Sequence, residues 1–105
     1  MAYAVYETNS FQEEVGKLSE SDREIVRNMC VKLKDNPHVG DPVRYKFFRE
    51  KRLREKRIYF LIYDELSIVL VVAFGGKKAQ PDTIDEIIKL FPEFRKEAER
   101  LSSSN

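Results

Sequence analysis

Cysteine and histidine are almost missing from this chain. Its 105 residues include one of each, Cys30 and His38. A lone thiol closes no disulfide within the chain, and a lone imidazole with no cysteine near it assembles no metal site. Cys30 falls on the apolar stripe of a predicted helix, where it reads as a small buried hydrophobe. Long apolar runs are missing too. The longest, Ile68 to Phe74, is far short of the ~20 residues a membrane helix needs. Four glycines make no phosphate-cradling loop, and no nucleophile elbow is present. The start, MAYAVYETNSF, has neither the basic segment nor the apolar core of a secretory leader. Together these absences predict a reduced, cytoplasmic protein without a membrane span.

Charge is abundant. Asp, Glu, Lys and Arg make up 35% of the residues, against about 25% in ordinary chains, yet the net charge is only +1. The two signs are segregated. Residues 1–43 hold five Lys/Arg and eight Asp/Glu, a net of −3. Residues 44–57 hold eight cations (Arg44, Lys46, Arg49, Lys51, Arg52, Arg54, Lys56, Arg57) and two anions (Glu50, Glu55), a net of +6. Lys77 and Lys78 follow after the next apolar run. Such asymmetry points to an anionic partner.

Periodicity places these charges on elements. Tyr3 to Glu7 reads as a strand. Thr8, Asn9 and Ser10 supply N-caps for a first helix, and Ser10 with Glu13 and Ser21 with Glu24 form capping-box patterns opening two helices. Phe11, Val15 and Leu18 make one apolar stripe; Ile25, Val26, Met29, Cys30 and Leu33 make the other. Asn36-Pro37 ends the second helix. Tyr45 to Lys51, Arg57 to Asp64 and Ile68 to Phe74 read as three hairpin-linked strands. Asp82 caps a last helix, kinked at Pro92, with a continuous stripe through Ile84, Ile87, Ile88, Phe91, Phe94, Ala98 and Leu101. The predicted class is α+β: an N-terminal strand, a two-helix hairpin, a mainly antiparallel sheet of three to four strands, and a C-terminal helix. One domain spans 1–101, and 102–105 form a frayed tail.

The basic stretch itself, REKRLREKRIYF (49–60), offers only Leu53 as an apolar anchor before Ile58. A helix there would have no apolar face. It reads instead as a strand end, a charged turn and a strand start. Alternation then sends Ile58, Phe60 and Ile62 toward the helices, and Arg57, Tyr59, Leu61 and Tyr63 to the other face. Arg57 is expected on an open sheet face beside an aromatic ring.

The segments YAVYETNSFQEEVGKL, LKDNPHVGDPVRYKFFREKR and KRIYFLIYDELSIVLVVAFGGKKAQ, in this order and spacing, resemble the RelE/ParE superfamily of toxins from toxin–antitoxin pairs. The resemblance covers most of the chain. It implies the RelE-like fold and, for RelE-type members, cleavage of messenger RNA at the ribosome without a metal or other cofactor: the 2′-hydroxyl attacks the adjacent phosphate. By position Arg57 resembles the family's strand arginine. Arg49, Lys51 and Arg52 resemble its preceding basic residues, Lys77 and Lys78 the pair after the last long strand, and Glu50 a glutamate of some relatives. Gln80 fits the KKxQ pattern of HigB-like relatives. The chain departs from the family in having no Tyr or His beyond residue 63, where an acid or base is often found.

Chemically, Arg suits phosphate because its planar fork matches the phosphate oxygens. A Lys among cations has its charged form disfavoured, which makes Lys51, Lys77 and Lys78 candidate acids or bases, with Glu50 as an alternative base. Arg49, Arg52, Arg54, Lys46 and Gln80 are candidate RNA contacts, and Tyr59 and Tyr63 candidate stacking platforms. Other readings stay open. The charge run could be a solvated edge that blocks sheet aggregation, Arg57 could pair with Glu50 or Glu55, and the tyrosines could be core. The expected function is that of a ribosome-dependent mRNA endonuclease toxin. The alternatives are a ParE-type gyrase inhibitor or an inactive member that binds RNA or antitoxin. Each implies a small, acidic, helical antitoxin as partner; the first adds the ribosome and mRNA.

Overall fold

The structure is a computed structural model and describes residues 2–103. Five strands and four helices form three layers. The strands are β1 (Ala4–Glu7), β2 (Asp41–Val43), β3 (Tyr45–Leu53), β4 (Lys56–Tyr63) and β5 (Ile68–Gly76). The helices are α1 (Asn9–Gly16), α2 (Glu20–Asp35), α3 (Gln80–Lys89) and α4 (Phe91–Ser103). The sheet order is β1-β5-β4-β3-β2. Only the β1–β5 pair is parallel; β2–β3, β3–β4 and β4–β5 are antiparallel. The sheet thus has one strand more than the sequence suggests, the short β2, in which Asp41 and Pro42 face Glu50 and Arg49 of β3.

The α+β class follows from the apolar patterning. On β4, Ile58, Phe60 and Ile62 pack with Phe11 of α1 and with Val26, Met29, Cys30 and Leu33 of α2. The alternate residues Tyr59, Leu61 and Tyr63 pack with Ile84 and Ile87 of α3 and Ala98 of α4. Both faces of β4 are therefore covered, which is why six consecutive residues from Ile58 to Tyr63 are buried. Burying a side chain of this size stabilises by roughly 1.5–3 kcal/mol. The face expected to be open is closed by α3 and α4 from Tyr59 onward, because the C-terminal stripe needs an apolar surface to cover.

Three local expectations change. The helix N-caps are Thr8, one of the three expected for the first helix, and Ser19, and their hydroxyls accept from the Phe11 and Asp22 N–H groups at 3.2 and 3.3 Å. Ser10 and Ser21 lie inside the first turns; only the last extended residue before each helix presents its hydroxyl to the free N–H groups. Asp82 likewise lies in the first turn of α3 rather than at its cap, Ala79. The expected kinked C-terminal helix is two helices. The Leu90 N–H closes α3 on the carbonyls of Glu86 and Ile87, and its carbonyl opens α4 by accepting from Phe94. Pro92 sits in the first turn of α4, where its missing N–H costs nothing. The α4 helix runs to Ser103, into the segment expected as tail; residues 104 and 105 lie outside the described residues.

The basic stretch is the β3–β4 hairpin. Leu53 pairs with Lys56 across a two-residue turn of Arg54 and Glu55, with Arg54 at φ 58°. A positive φ at the turn matches the twist of the flanking strands. Among the described residues no helix is long and apolar enough to cross a membrane.

Candidate nucleic-acid interface

Strand register decides which of the charged side chains meet. Arg57 lies opposite Arg52 on β3 and Gly75 on β5; Glu50 lies opposite Tyr59. Glu50, Arg52, Arg57 and Tyr59 therefore share the face that α3 and α4 cover. Gly75 carries no side chain, so nothing from β5 stands between Arg57 and the start of α3. There the turn Lys77–Ala79 delivers Gln80.

The result is a three-member cluster. Arg57 Nη1 donates to Gln80 Oε1 at 2.6 Å. Gln80 Nε2 donates to Glu50 Oε2 at 3.1 Å. Arg57 Nε stands 3.6 Å from the same Glu50 oxygen, and the Arg57 and Glu50 side chains are 20% and 18% exposed. The two charges fix the orientation of the amide: its oxygen faces the cation and its NH2 faces the carboxylate. Below the cluster the Tyr59 hydroxyl is buried with no hydrogen-bond partner among the described residues. Burial pushes its pKa up, and the Glu50 carboxylate adds to this while Arg57 opposes it.

Arg57 also lines a groove of about 460 Å³ bounded by Arg52, Glu55, Lys56, Gly76, Lys77 and Lys78. Five of these seven residues are cations and one is a carboxylate. The α3 N-terminus opens beside it with no side-chain cap, and Asp82 in its first turn offsets its positive end. Such a surface has the chemistry to receive a phosphate anion: a partly sheltered arginine at the end of the sheet, with lysines at the rim.

Other candidates do not join this site. Lys51 pairs with Ile58 and Arg49 with Phe60, which puts both on the opposite face, toward α2. The Arg49 guanidinium is spent on the carbonyls of Lys46 and Gly40, at 2.7 and 2.9 Å. Lys46 itself is exposed at the far end of β3. Arg54 turns away to Asp22 of α2. Tyr59 and Tyr63 are 0% and 5% exposed, so neither can stack on a base. Both belong to the core on the α3/α4 face, where an aromatic ring serves a hydrophobic stripe better than it serves solvent. Lys56 was not singled out in the sequence, although a two-residue turn after Leu53 places it next to the groove.

A second polar cluster occupies the other end of β4. The Tyr3 hydroxyl donates to Asp64 Oδ1 at 2.7 Å, and His38 Nε2 lies 3.2 Å from the same oxygen. The Tyr3 hydrogen bond, helped by His38, holds the Asp64 carboxyl below its ordinary pKa. This cluster ties the loop after α2 to the β4–β5 turn. Among the described residues no group of His, Cys, Asp and Glu could hold a metal ion.

No protein-family model matches the chain, and no curated protein matches it by sequence. Solved structures do. The chain is similar to a doubly substituted E. coli toxin RelE in the free state, with TM-score 0.76 and 22% identity over 87% of this chain and 99% of that one. It is similar to the RelBE2 toxin–antitoxin complex from Mycobacterium tuberculosis, with TM-score 0.66 and 22% identity over 73% of this chain and 100% of that one. The intact E. coli RelBE toxin–antitoxin complex matches with TM-score 0.65 and 22% identity over 71% and 96% of the two chains. The strand–helix–helix–sheet–helix order and the hairpin that carries Arg57 thus belong to a known architecture: the chain has the RelE toxin fold.

Proposed function

We propose that this protein is the toxin of a type II toxin–antitoxin pair and that it inhibits translation by cutting messenger RNA on the ribosome. The observation that carries the proposal is the Arg57–Gln80–Glu50 cluster at the edge of a cation-lined groove. Cleavage by internal attack needs a group to stabilise the phosphorane charge, a base for the 2′-hydroxyl and an acid for the leaving oxygen. Arg57 stabilises the charge. Glu50, the carboxylate that faces it, takes the 2′-hydroxyl proton as O2′ attacks phosphorus. The P–O5′ bond breaks, and Lys77 or Lys78 at the rim protonates O5′, leaving a 2′,3′-cyclic phosphate and a 5′-hydroxyl. Arg52 and Lys56 hold neighbouring phosphates. The RelE–RelB assemblies similar to this chain support an antitoxin partner, a small helical protein acidic enough to cover the basic groove.

Primer extension on mRNA recovered from a translating extract tests this. Wild type should give discrete cleavage stops, and Arg57→Ala should reduce them by about 10²-fold or more, the usual cost of losing one transition-state charge contact. Equal cutting by both would remove Arg57 from the mechanism. The groove lining contains neither Tyr nor His, which keeps a second reading: a gyrase inhibitor on the same fold. A supercoiling assay separates the two, since a ribosome-dependent nuclease leaves gyrase untouched at saturating protein.

A further inference from the structure

The Arg57 guanidinium is already engaged. Its Nε faces Glu50 Oε2 at 3.6 Å, and Nη1 is given to Gln80 Oε1 at 2.6 Å. Phosphate grips a guanidinium through two parallel N–H groups, along either the Nε/Nη2 edge or the Nη1/Nη2 edge. Nη1 has two N–H groups and can keep Gln80 while it serves a phosphate, whereas Nε has one and it faces Glu50, so a two-pronged contact along the Nε/Nη2 edge meets the carboxylate. The Gln80 contact is a short hydrogen bond from a neutral acceptor. The Glu50 contact is longer than a hydrogen bond and carries a negative charge that an arriving phosphate repels. Geometry and charge select the same contact to break.

We propose that the site works by anion exchange. Glu50 is the resident anion of Arg57, a phosphodiester of single-stranded RNA displaces it, and Gln80 is the positioning residue that holds the guanidinium through the exchange. The inference rests on the function proposed above for the identity of the phosphodiester; the exchange itself requires only a phosphate anion. The displaced carboxylate does not leave, because Gln80 Nε2 still donates to it at 3.1 Å. It stays beside the phosphate that replaced it, a carboxylate freed from its cation. Substrate binding thereby readies the base: the 2′-hydroxyl proton moves to Glu50 as the O2′–P bond forms, the P–O5′ bond breaks, and a rim lysine ammonium returns a proton to O5′.

Two titrations test the exchange without cleavage. One follows the Arg57 Nε–Hε resonance with inorganic phosphate. The other follows fluorescence anisotropy of a single-stranded RNA oligonucleotide with 2′-deoxy sugars at every position of attack. Glu50→Gln should bind both probes on the order of tenfold tighter than wild type, as expected for removing one competing charge worth about 1.4 kcal/mol. Gln80→Ala should bind the oligonucleotide about tenfold more weakly at unchanged net charge, with the Arg57 resonance broadened and the melting temperature unaltered. Should Glu50→Gln fail to fold, Glu50→Ala in the same titrations decides, since it also removes the charge. Binding of both probes no tighter in the Glu50 variants than in wild type overturns the exchange. Tighter binding without mRNA cleavage by wild type on ribosomes leaves the exchange standing and removes the nuclease reading. Cleavage by wild type without tighter binding in the variants does the reverse.

Discussion

At the scale of single residues, burial separates what the sequence leaves together. Tyr59 and Arg57 are two positions apart on one strand and point to one face, yet Tyr59 is wholly buried and Arg57 reaches a groove. Alternation along β4 is readable from RIYFLIYD. Where α3 stops covering the face is not, since it depends on the path of the chain after Gly76. The Tyr59 hydroxyl is a buried donor with no partner among the described residues, which costs about 1–3 kcal/mol. Tyr59→Phe should therefore leave the urea midpoint unchanged or raise stability by up to about 1 kcal/mol, with mRNA cleavage unaltered. A drop in stability, or lost cleavage, would show that the hydroxyl bonds or acts where the geometry gives it nothing to do.

At the scale of elements, the short β2 matters more than its three residues suggest. It is the strand that the sequence reading lacks, because Gly40-Asp41-Pro42 carries turn signals and Pro weakens any strand assignment. Pro is tolerated here because β2 is the edge of the sheet. Its entry is tight. A Cβ on Gly40 would lie 2.7 Å from the Phe60 ring, 2.9 Å from the Glu50 carbonyl and 3.2 Å from Arg49 Cβ. Two of these three neighbours belong to β3, the strand that carries Glu50 to the site. Gly40→Ala should cost about 1–3 kcal/mol in chemical unfolding, the usual size of an overpacking penalty. A loss below about 0.5 kcal/mol would mean that β2 shifts freely and does not hold β3. The β3–β4 hairpin, in contrast, was legible. Its flanking apolar alternation and its unusable helix face are local properties.

At the scale of the whole molecule, both faces of the sheet bury acidic groups that stay protonated. Burial, assisted by Glu7, pushes the Cys30 thiol from its ordinary 9.0 up to about 12. Burial also pushes Tyr63 from 10.0 up to about 12, against the Arg95 guanidinium that stacks over its ring at 5.4 Å. Tyr59 is raised in the same direction. Each group is neutral when protonated and holds its proton more tightly folded than unfolded. Its contribution is therefore complete below the unfolded pKa and is lost as pH rises through the folded one. The urea midpoint should be flat up to about pH 8.5 and fall steadily from about pH 9 toward 12, with Tyr63→Phe flattening the fall. A midpoint independent of alkaline pH would contradict the burial of these groups. On the acid side, Arg95 and Tyr3 hold Glu65 and Asp64 below their ordinary values. Both are exposed, so solvent screening keeps acid loss from these pairs small.

The sequence alone determined the class of the protein, its hairpin, the two faces of β4 and the concentration of positive charge at one end of the sheet. Apolar period and charge position are written in neighbouring residues, and their physical consequences are short-range. Only the tertiary structure decided which charges act together. Lys51 and Arg57 belong to the same basic run, but pairing with Ile58 sends Lys51 to the far face. Gln80, 23 residues beyond Arg57 along the chain, arrives within 2.6 Å of it. A site built by strand register and by the point where a helix begins is a long-range property, and no local pattern encodes it.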